Sequence, residues 1–354
     1  MYEYSHGGNA IFEKGREHII DLSANINPLG VPENLFEAIT HEMPNINRYP
    51  DNFSTLLREK TAAYERVNPD WMMFTGGASE ILFRLPRALS ARKVMLCSPT
   101  FADYERSAIS HGAKVISHVL RREDGFSINY DFIKVVQNEK PDLIYICNPN
   151  NPTGIITEKT LIKELLECCK QIGARVVIDE CFIDFVEQAE MHTSKPFLAG
   201  YNNLVIVKAF KKIFALAGIR LGYAMCSDED VIRRLYFHGP DWAVSNIAQA
   251  AGVAALDNAE RYIRETQEYV SKERTTMKME LKHLGYTTFE SLANYIFFQS
   301  PFTFDLCKEL DERGLRIRSC SNYYGLDGTY YRVAVSTKGN NTKFLKTIKE
   351  ITKC

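Results

Sequence analysis

Two adjacent lysines and a later arginine have the clearest potential for covalent chemistry in this sequence. They lie in the segment AFKKIFALAGIRLGY, residues 209–223, where Lys211 and Lys212 follow the apolar run LVIVKAF and Arg220 comes eight positions after Lys212. The apolar run is typical of a buried strand, so both lysines are expected at a strand end. A lysine amine that is partly removed from water loses proton affinity and becomes a nucleophile toward an aldehyde. The segment therefore predicts a carbonyl-reactive lysine, without deciding between the two.

Three further polar features accompany other predicted elements. Asn151 lies in the turn that ends YICNPNNPTG, and Asp179 and Glu180 end the apolar run RVVIDE. The segment TGGASE, residues 75–80, places two glycines before a helical pattern, as in sites where backbone amides bind a phosphate. Each feature alone is also typical of an ordinary turn or cap, but ligands of open α/β sheets collect at the carboxyl ends of strands. Together they meet the needs of pyridoxal phosphate, which requires a lysine for its aldehyde, an acid for its ring nitrogen and donors for its phosphate.

The elements that must position these residues follow a regular alternation. Between about residue 70 and residue 226, short β-branched runs alternate with longer amphipathic segments, the runs being KVMLC, KVISHVL, DLIYIC, RVVIDE, LVIVKAF and IRLGYAMC. This alternation predicts an α/β fold with a mostly parallel sheet between helices. One intervening segment, TEKTLIKELLECCKQIG, is predicted to be a helix with Thr157 as its N-cap and Gly173 at its end.

The pattern changes after about residue 245, which predicts a second, smaller domain. A long charged segment is typical of one or two helices, and ANYIFFQS, LRIRSC and YYRVAVST are predicted strands. The first 45 or so residues carry too many glycines and prolines for a core element. We therefore predict an N-terminal segment at 1–47 that belongs to the small domain or the cleft, a large cofactor-binding domain at 48–244, and a small α+β domain at 245–354 that is built from both chain ends.

Composition excludes several classes of protein. The 354 residues are 45% hydrophobic and 25% charged, with a formal net charge of -1, which argues against disorder and against a nucleic-acid binder driven by charge. No apolar run is long enough to cross a bilayer and the N-terminus lacks the layout of a signal peptide, so a cytoplasmic protein is expected. The nine cysteines show no C-x-x-C spacing and are interpreted as reduced core residues, with no metal site.

The motifs NNPTG, VIDE and FKKIFALAGIRLGY, taken in this order, resemble those of fold-type-I pyridoxal-phosphate enzymes of the aspartate aminotransferase family. The resemblance covers nearly the whole chain. It implies that Lys212 forms the Schiff base with the cofactor, because the family places this lysine eight residues before a phosphate-binding arginine, here Arg220. It also implies that Asp179 pairs with the pyridine nitrogen and that Asn151 donates to the ring hydroxyl.

The same resemblance assigns further contacts. Ala78 and Ser79 are expected to bind the cofactor phosphate, and Phe101 in SPTFADY is expected to stack on its ring, with Tyr104 nearby. Tyr49 in NRYPD is expected to reach the phosphate of a neighbouring subunit, which implies a homodimer. Arg332 in YYRVAV corresponds to the arginine that takes a substrate carboxylate.

Two departures from the family pattern stand out. The positions one and three before Lys212 commonly carry hydroxyl groups that assist the phosphate, but here they are Lys211 and Ala209. Lys211 either replaces the lost hydroxyl with a charge or turns to solvent. The second departure is Phe182, three residues after Asp179, where aminotransferases of this group carry a tyrosine that hydrogen-bonds the cofactor, a bond that phenylalanine cannot make.

Within the family, the pieces SHGGN, DLSANINPLG and DECFIDF resemble the threonine-phosphate decarboxylase group, in which Phe182 is the expected residue. This group converts L-threonine O-3-phosphate to aminopropanol phosphate for the cobalamin side arm. His6, Asn25 and Arg318 are candidate substrate contacts beside Arg332. The alternatives are a histidinol-phosphate aminotransferase or a related amino acid aminotransferase, and a non-catalytic relative that only binds the cofactor.

Overall fold

The structure, a computed structural model, describes residues 7–8 and 18–353. The strands are β1 (Ile20–Asp21), β2 (Met72–Thr75), β3 (Lys93–Ser98), β4 (Lys114–Val119), β5 (Leu143–Cys147), β6 (Arg175–Asp179), β7 (Leu204–Ala209), β8 (Gly222–Met225), β9 (Thr287–Thr288), β10 (Tyr295–Gln299), β11 (Leu315–Arg316), β12 (Arg318–Ser319) and β13 (Tyr330–Ala334). The helices are α1 (Asn34–Glu42), α2 (Thr55–Glu65), α3 (Ala78–Ala88), α4 (Ala102–Ser110), α5 (Asp131–Glu139), α6 (Lys159–Ile172), α7 (Phe210–Ile213), α8 (Glu229–Phe237), α9 (Asn246–Leu256), α10 (Ala259–His283), α11 (Leu306–Asp311) and α12 (Lys338–Lys353).

A seven-stranded sheet with the order β2-β8-β7-β6-β5-β3-β4 forms the centre of the large α/β part. The block from β4 to β7 is parallel, and β8 runs antiparallel to both β7 and β2. Strands β5 and β7 are buried at every position, as expected for parallel strands covered by helices on both faces. The predicted α/β class with a mostly parallel sheet is confirmed.

The antiparallel placement of β8 determines where the lysine segment lies. Because β8 begins at the sheet edge where β7 ends, the connection between them stays at that edge. This connection carries the one-turn helix α7, with Lys211 and Lys212, and then Arg220. The carboxyl ends of β5 and β6, which precede Asn151 and end in Asp179, lie at the same edge.

A smaller sheet with the order β12-β13-β10-β9 is antiparallel throughout. A two-stranded parallel pair, β1 with β11, joins the N-terminal chain to this C-terminal part. The predicted strand LRIRSC is split into β11 and β12, because its two halves pair with different partners. The boundaries of the domains at residues 47 and 244 stay a prediction.

Two sequence-based details need correction or completion. Helix α6 begins one residue later than predicted, with Glu158 as its N-cap, because the backbone N–H of Thr157 donates to Oδ1 of Asn148 at 2.9 Å. The predicted end at Gly173 is confirmed, since this residue caps the helix with φ of 75°. The charged segment that was predicted as one or two helices is the single 25-residue helix α10.

Within the described ranges, no helix is long and apolar enough to cross a membrane. The cysteines of these ranges are unpaired, and all but Cys307 are buried.

Candidate active site

A cavity of about 330 Å³ lies at the carboxyl edge of the large sheet and is closed on its far side by the smaller sheet. It brings together residues that are far apart in the sequence. The predicted site residues that line it are Asn25, Ala78, Ser79, Phe101, Asn151, Asp179, Lys212, Arg220, Arg318 and Arg332. Tyr49 lies elsewhere, and His6 lies outside the described residues.

Lys212 sits on α7, directly after β7, and its amine enters the cavity 5.6 Å from the ring centre of Phe182. Among the described residues, no hydrogen-bond acceptor is found for this amine. Burial lowers its pKa well below the ordinary value, and the positive charges of Lys211 and Arg332 lower it further. Since fewer amines are protonated when the pKa falls, the environment favours a nucleophilic lysine.

Asp179 ends β6 and keeps only 6% of its surface exposed. Its Oδ1 accepts a hydrogen bond from the backbone N–H of Cys181 at 2.9 Å, and its Oδ2 accepts one from the Tyr104 hydroxyl at 2.7 Å. The sequence placed Tyr104 near the site without giving it a role. Its three-residue spacing from Phe101 at the start of α4, which brings both residues to one face of the helix, could have indicated this location.

An anion cradle forms where α3 begins. Gly77 precedes the helix with φ of +106°, a conformation that favours glycine, and the Arg220 guanidinium lies against it. Gly222 of β8 packs on the other side, where an added Cβ would come within 2.3 Å of the Ala78 nitrogen. The helix N-terminus and the arginine together favour a phosphate at this position.

The opposite wall carries two arginines from adjacent strands. Arg318 of β12 and Arg332 of β13 are paired across the small sheet. Arg332 donates to the Asn151 side chain and, from Nη2, to the Ser23 carbonyl at 2.8 Å, while its buried Nε has no partner among the described residues. The buried Oδ1 of Asn25 is also without a partner there. This wall can therefore bind further anionic and polar groups.

The two departures from the family pattern both fall at the cavity or next to it. Lys211 lines the cavity beside Lys212, and Ala209 is buried at the end of β7. Phe182 also lines the cavity, and its ring meets Tyr295 edge-on at 5.2 Å. An ammonium and an apolar ring thus occupy positions where hydroxyl groups were expected from the family.

Tyr49 lies on the surface, 80% exposed, and stacks on Trp242 at 4.4 Å between ring centres. It borders a separate groove formed by α1, α2 and α9. Within one chain it therefore does not reach the cavity.

The donor set fits pyridoxal phosphate. The cavity offers an amine of lowered pKa, a buried carboxylate, a helix N-terminus with an arginine, and an aromatic ring at Phe101. The unpartnered Nε of Arg332 and Oδ1 of Asn25 leave hydrogen-bonding capacity in this cavity that polar groups of a ligand can use.

Comparisons with known proteins extend over nearly the whole chain. Residues 17–348 match the family described as aminotransferase class I and II. Threonine-phosphate decarboxylase of Salmonella typhimurium is 30% identical over 358 residues, which cover 99% of this chain and 97% of that protein. Histidinol-phosphate aminotransferase of Methanococcus aeolicus is 30% identical over 347 residues, which cover 95% of this chain and 90% of that protein. The crystal structure of the histidinol-phosphate aminotransferase from Clostridium acetobutylicum has a TM-score of 0.87 at 28% identity and covers 94% of this chain and 98% of its own.

Proposed function

The chain belongs to the aminotransferase class I and II family, and from this premise we propose that it is a pyridoxal-phosphate-dependent decarboxylase of a phosphorylated amino acid. The proposed substrate is L-threonine O-3-phosphate, and the products are carbon dioxide and aminopropanol phosphate, a precursor of the cobalamin side arm. The Salmonella relative, which carries the name of this activity, is similar over the full length of both chains.

The observation that carries the proposal is the arginine pair on the small-sheet wall. Arg220 lies beside the N-terminus of α3, where the cofactor phosphate is expected. It would therefore bind the cofactor phosphate and would not be available to the substrate. Arg318 and Arg332 are cross-strand neighbours that line the same cavity. Two guanidinium groups suit a substrate with both a carboxylate and a phosphate, since each arginine offers planar donors for one anion.

The cofactor would be held by residues from three elements. Lys212 would bond its aldehyde, Asp179 would pair with its ring nitrogen, and the α3 N-terminus at Ala78 and Ser79 would bind its phosphate with Arg220. When bound, pyridoxal phosphate supplies a protonated ring that accepts the electrons of the breaking bond.

The residues of this chain then decide which bond breaks. The bond that stands perpendicular to the cofactor ring is the one that breaks, so the pose of the substrate sets the outcome. Arg318 and Arg332 would hold the two anions of the substrate such that the bond to the carboxylate takes this position. Nζ of Lys212 would then deliver the proton that replaces the carboxylate on the alpha carbon.

Phe182 supports decarboxylation over transamination. It is buried beside Lys212 and carries no hydroxyl, whereas the aminotransferases of this group were expected to have a tyrosine there. A histidinol-phosphate aminotransferase is the second candidate, because the Methanococcus and Clostridium proteins with that name are also similar over most of their length.

The arginine pair provides the test. Arg318→Gln and Arg332→Gln should each lower kcat/KM for L-threonine O-3-phosphate by about 10- to 100-fold, because each removes a charged hydrogen-bond donor to an anion. Initial rates of carbon dioxide release measure the effect. Arg313→Gln is the matched control, because Arg313 is bound to Glu309 on α11 at 2.7 Å and does not line the cavity. Equal rates for all three variants and the wild type would contradict the substrate assignment.

A further inference from the structure

Tyr104 is fixed beside Asp179 by packing on both sides. Its ring stacks on Tyr145 with 5.0 Å between centres and 8° between planes. Phe101 meets the same ring edge-on at 5.6 Å. Tyr104 has no exposed surface, and its hydroxyl donates to Oδ2 of Asp179 at 2.7 Å.

The hydroxyl acts as a donor. Burial raises the pKa of Tyr104 well above the ordinary value, and the Asp179 carboxylate raises it further. Burial also raises the pKa of the neighbouring Cys147 thiol. The Tyr104 hydroxyl therefore keeps its proton and donates it in the hydrogen bond to the Asp179 carboxylate.

We propose that Tyr104 is a positioning residue, which holds the Asp179 carboxylate in a fixed orientation toward the ring nitrogen of bound pyridoxal phosphate. The inference rests on the proposed function, because it assumes that this cofactor is bound. Cys181 fixes Oδ1 through its backbone N–H, so the side chain of Tyr104 is the part of this arrangement that a substitution can remove.

A cofactor analogue separates this role from general packing. In 1-deazapyridoxal 5′-phosphate a C–H group replaces the ring nitrogen, so Asp179 has no nitrogen to pair with. We expect Tyr104→Phe, which keeps the ring and removes the hydroxyl, to weaken binding of pyridoxal phosphate to the apo-protein by about 10-fold or more. Binding of the deaza analogue should stay unchanged. Dissociation constants for both compounds are measured by tryptophan fluorescence quenching.

Tyr145→Phe is the matched control. The Tyr145 hydroxyl is as deeply buried, but it donates to the Leu82 carbonyl at 3.1 Å. This carbonyl lies four residues before Pro86 of α3, and proline has no N–H to pair with it. Removing this hydroxyl should lower the melting temperature but leave the ratio of the two dissociation constants at the wild-type value.

Several results would overturn the inference. An equal loss of affinity for both compounds in Tyr104→Phe would show a merely structural role, and wild-type affinity for both would show no role toward the nitrogen. A wild-type protein that binds neither compound would refute the proposed function itself, and the inference with it.

A double-mutant cycle with Asp179 gives a second, independent test of the same inference. Adding Tyr104→Phe to Asp179→Asn should leave the ratio as it is in Asp179→Asn, because the charge that the hydroxyl serves has already been removed. A further fall of the ratio in the double variant would overturn the inference.

Discussion

At the scale of the residue, the reactivity of Lys212 depends on the cations around it. Its pKa is lowered first by burial and then by the charges of Lys211, Arg332 and Arg220. Lys211 is the closest of these in sequence and occupies a position where the family carries a hydroxyl. This departure therefore has an electrostatic consequence for the neighbouring amine.

Lys211→Met should raise the pKa of Lys212, because a positive charge that disfavours the ammonium form is removed. At a fixed neutral pH, fewer Lys212 amines are then neutral, so the apo-protein should take up pyridoxal phosphate more slowly. The pH profile of the uptake rate, followed by absorbance, should shift to higher pH. Lys211→Arg keeps the charge and should leave the profile in place. A shift to lower pH in Lys211→Met would contradict this account.

The location of a site residue could be predicted from the sequence where the residue belongs to a recognisable motif. The spacing of Lys212 and Arg220, and the strand-end positions of Asn151 and Asp179, indicated a common site, and the structure brings these residues to one cavity. Tyr104 was not assigned, because its hydrogen bond joins α4 to β6 across 75 residues, and no local pattern records such a contact.

At the scale of the element, a buried ion cluster links β7, the strand that leads to Lys212, to the elements packed beside it. Nζ of Lys208 on β7 lies 2.6 Å from Oε1 of Glu65 on α2 and 2.9 Å from Oδ1 of Asp184. Burial alone would raise the pKa of Glu65, but the ammonium groups of Lys208 and Lys195 outweigh it and hold this pKa at about 2. The cluster connects the strand before Lys212 to the turn that follows Asp179.

Lys208→Met should lower the free energy of unfolding by about 3 to 5 kcal/mol, since it leaves Asp184 without its cation and the buried Glu65 with Lys195 alone. Denaturant titration measures this change. Lys134→Met is the control, because its 2.8 Å pair with Asp131 is exposed to solvent and should contribute nothing measurable. Equal unfolding curves for the two variants would contradict the role of the cluster.

Element boundaries were predicted less well than element types. The β-branched runs identified six strands of the large sheet, but β2 was not singled out. The split of LRIRSC into β11 and β12 depends on separate partners, β1 and β13. Pairing of this kind is set by the tertiary fold and has no signature within the segment itself.

At the scale of the whole molecule, Tyr49 lies outside the cavity to which the family resemblance assigns it. It is 80% exposed on a surface that also presents Phe53, Leu56, Phe237 and Trp242, each of them exposed. Tyr49 stacks on Trp242 and borders the same groove as Leu56, and neighbouring exposed apolar side chains are typical of a protein interface. We therefore propose a homodimer in which Tyr49 reaches the phosphate in the site of its partner.

Mixing two inactive variants tests this arrangement. Lys212→Ala and Tyr49→Ala should each lose most activity as homodimers. If Tyr49 acts across the interface, a mixed dimer has one site that lacks both residues and one site that is intact. Subunit exchange should therefore restore activity, whereas no regain after verified exchange would contradict it. A protein that sediments as a fully active monomer would also exclude the dimer.

The central claim is that this site removes carbon dioxide from a phosphorylated amino acid. The direct measurement is incubation of the purified, cofactor-loaded protein with L-threonine O-3-phosphate, with carbon dioxide and product mass followed together. We predict release of carbon dioxide with aminopropanol phosphate in equal amounts. Formation of an oxo acid from an amino acid donor, without carbon dioxide from L-threonine O-3-phosphate, would contradict the claim and favour the aminotransferase.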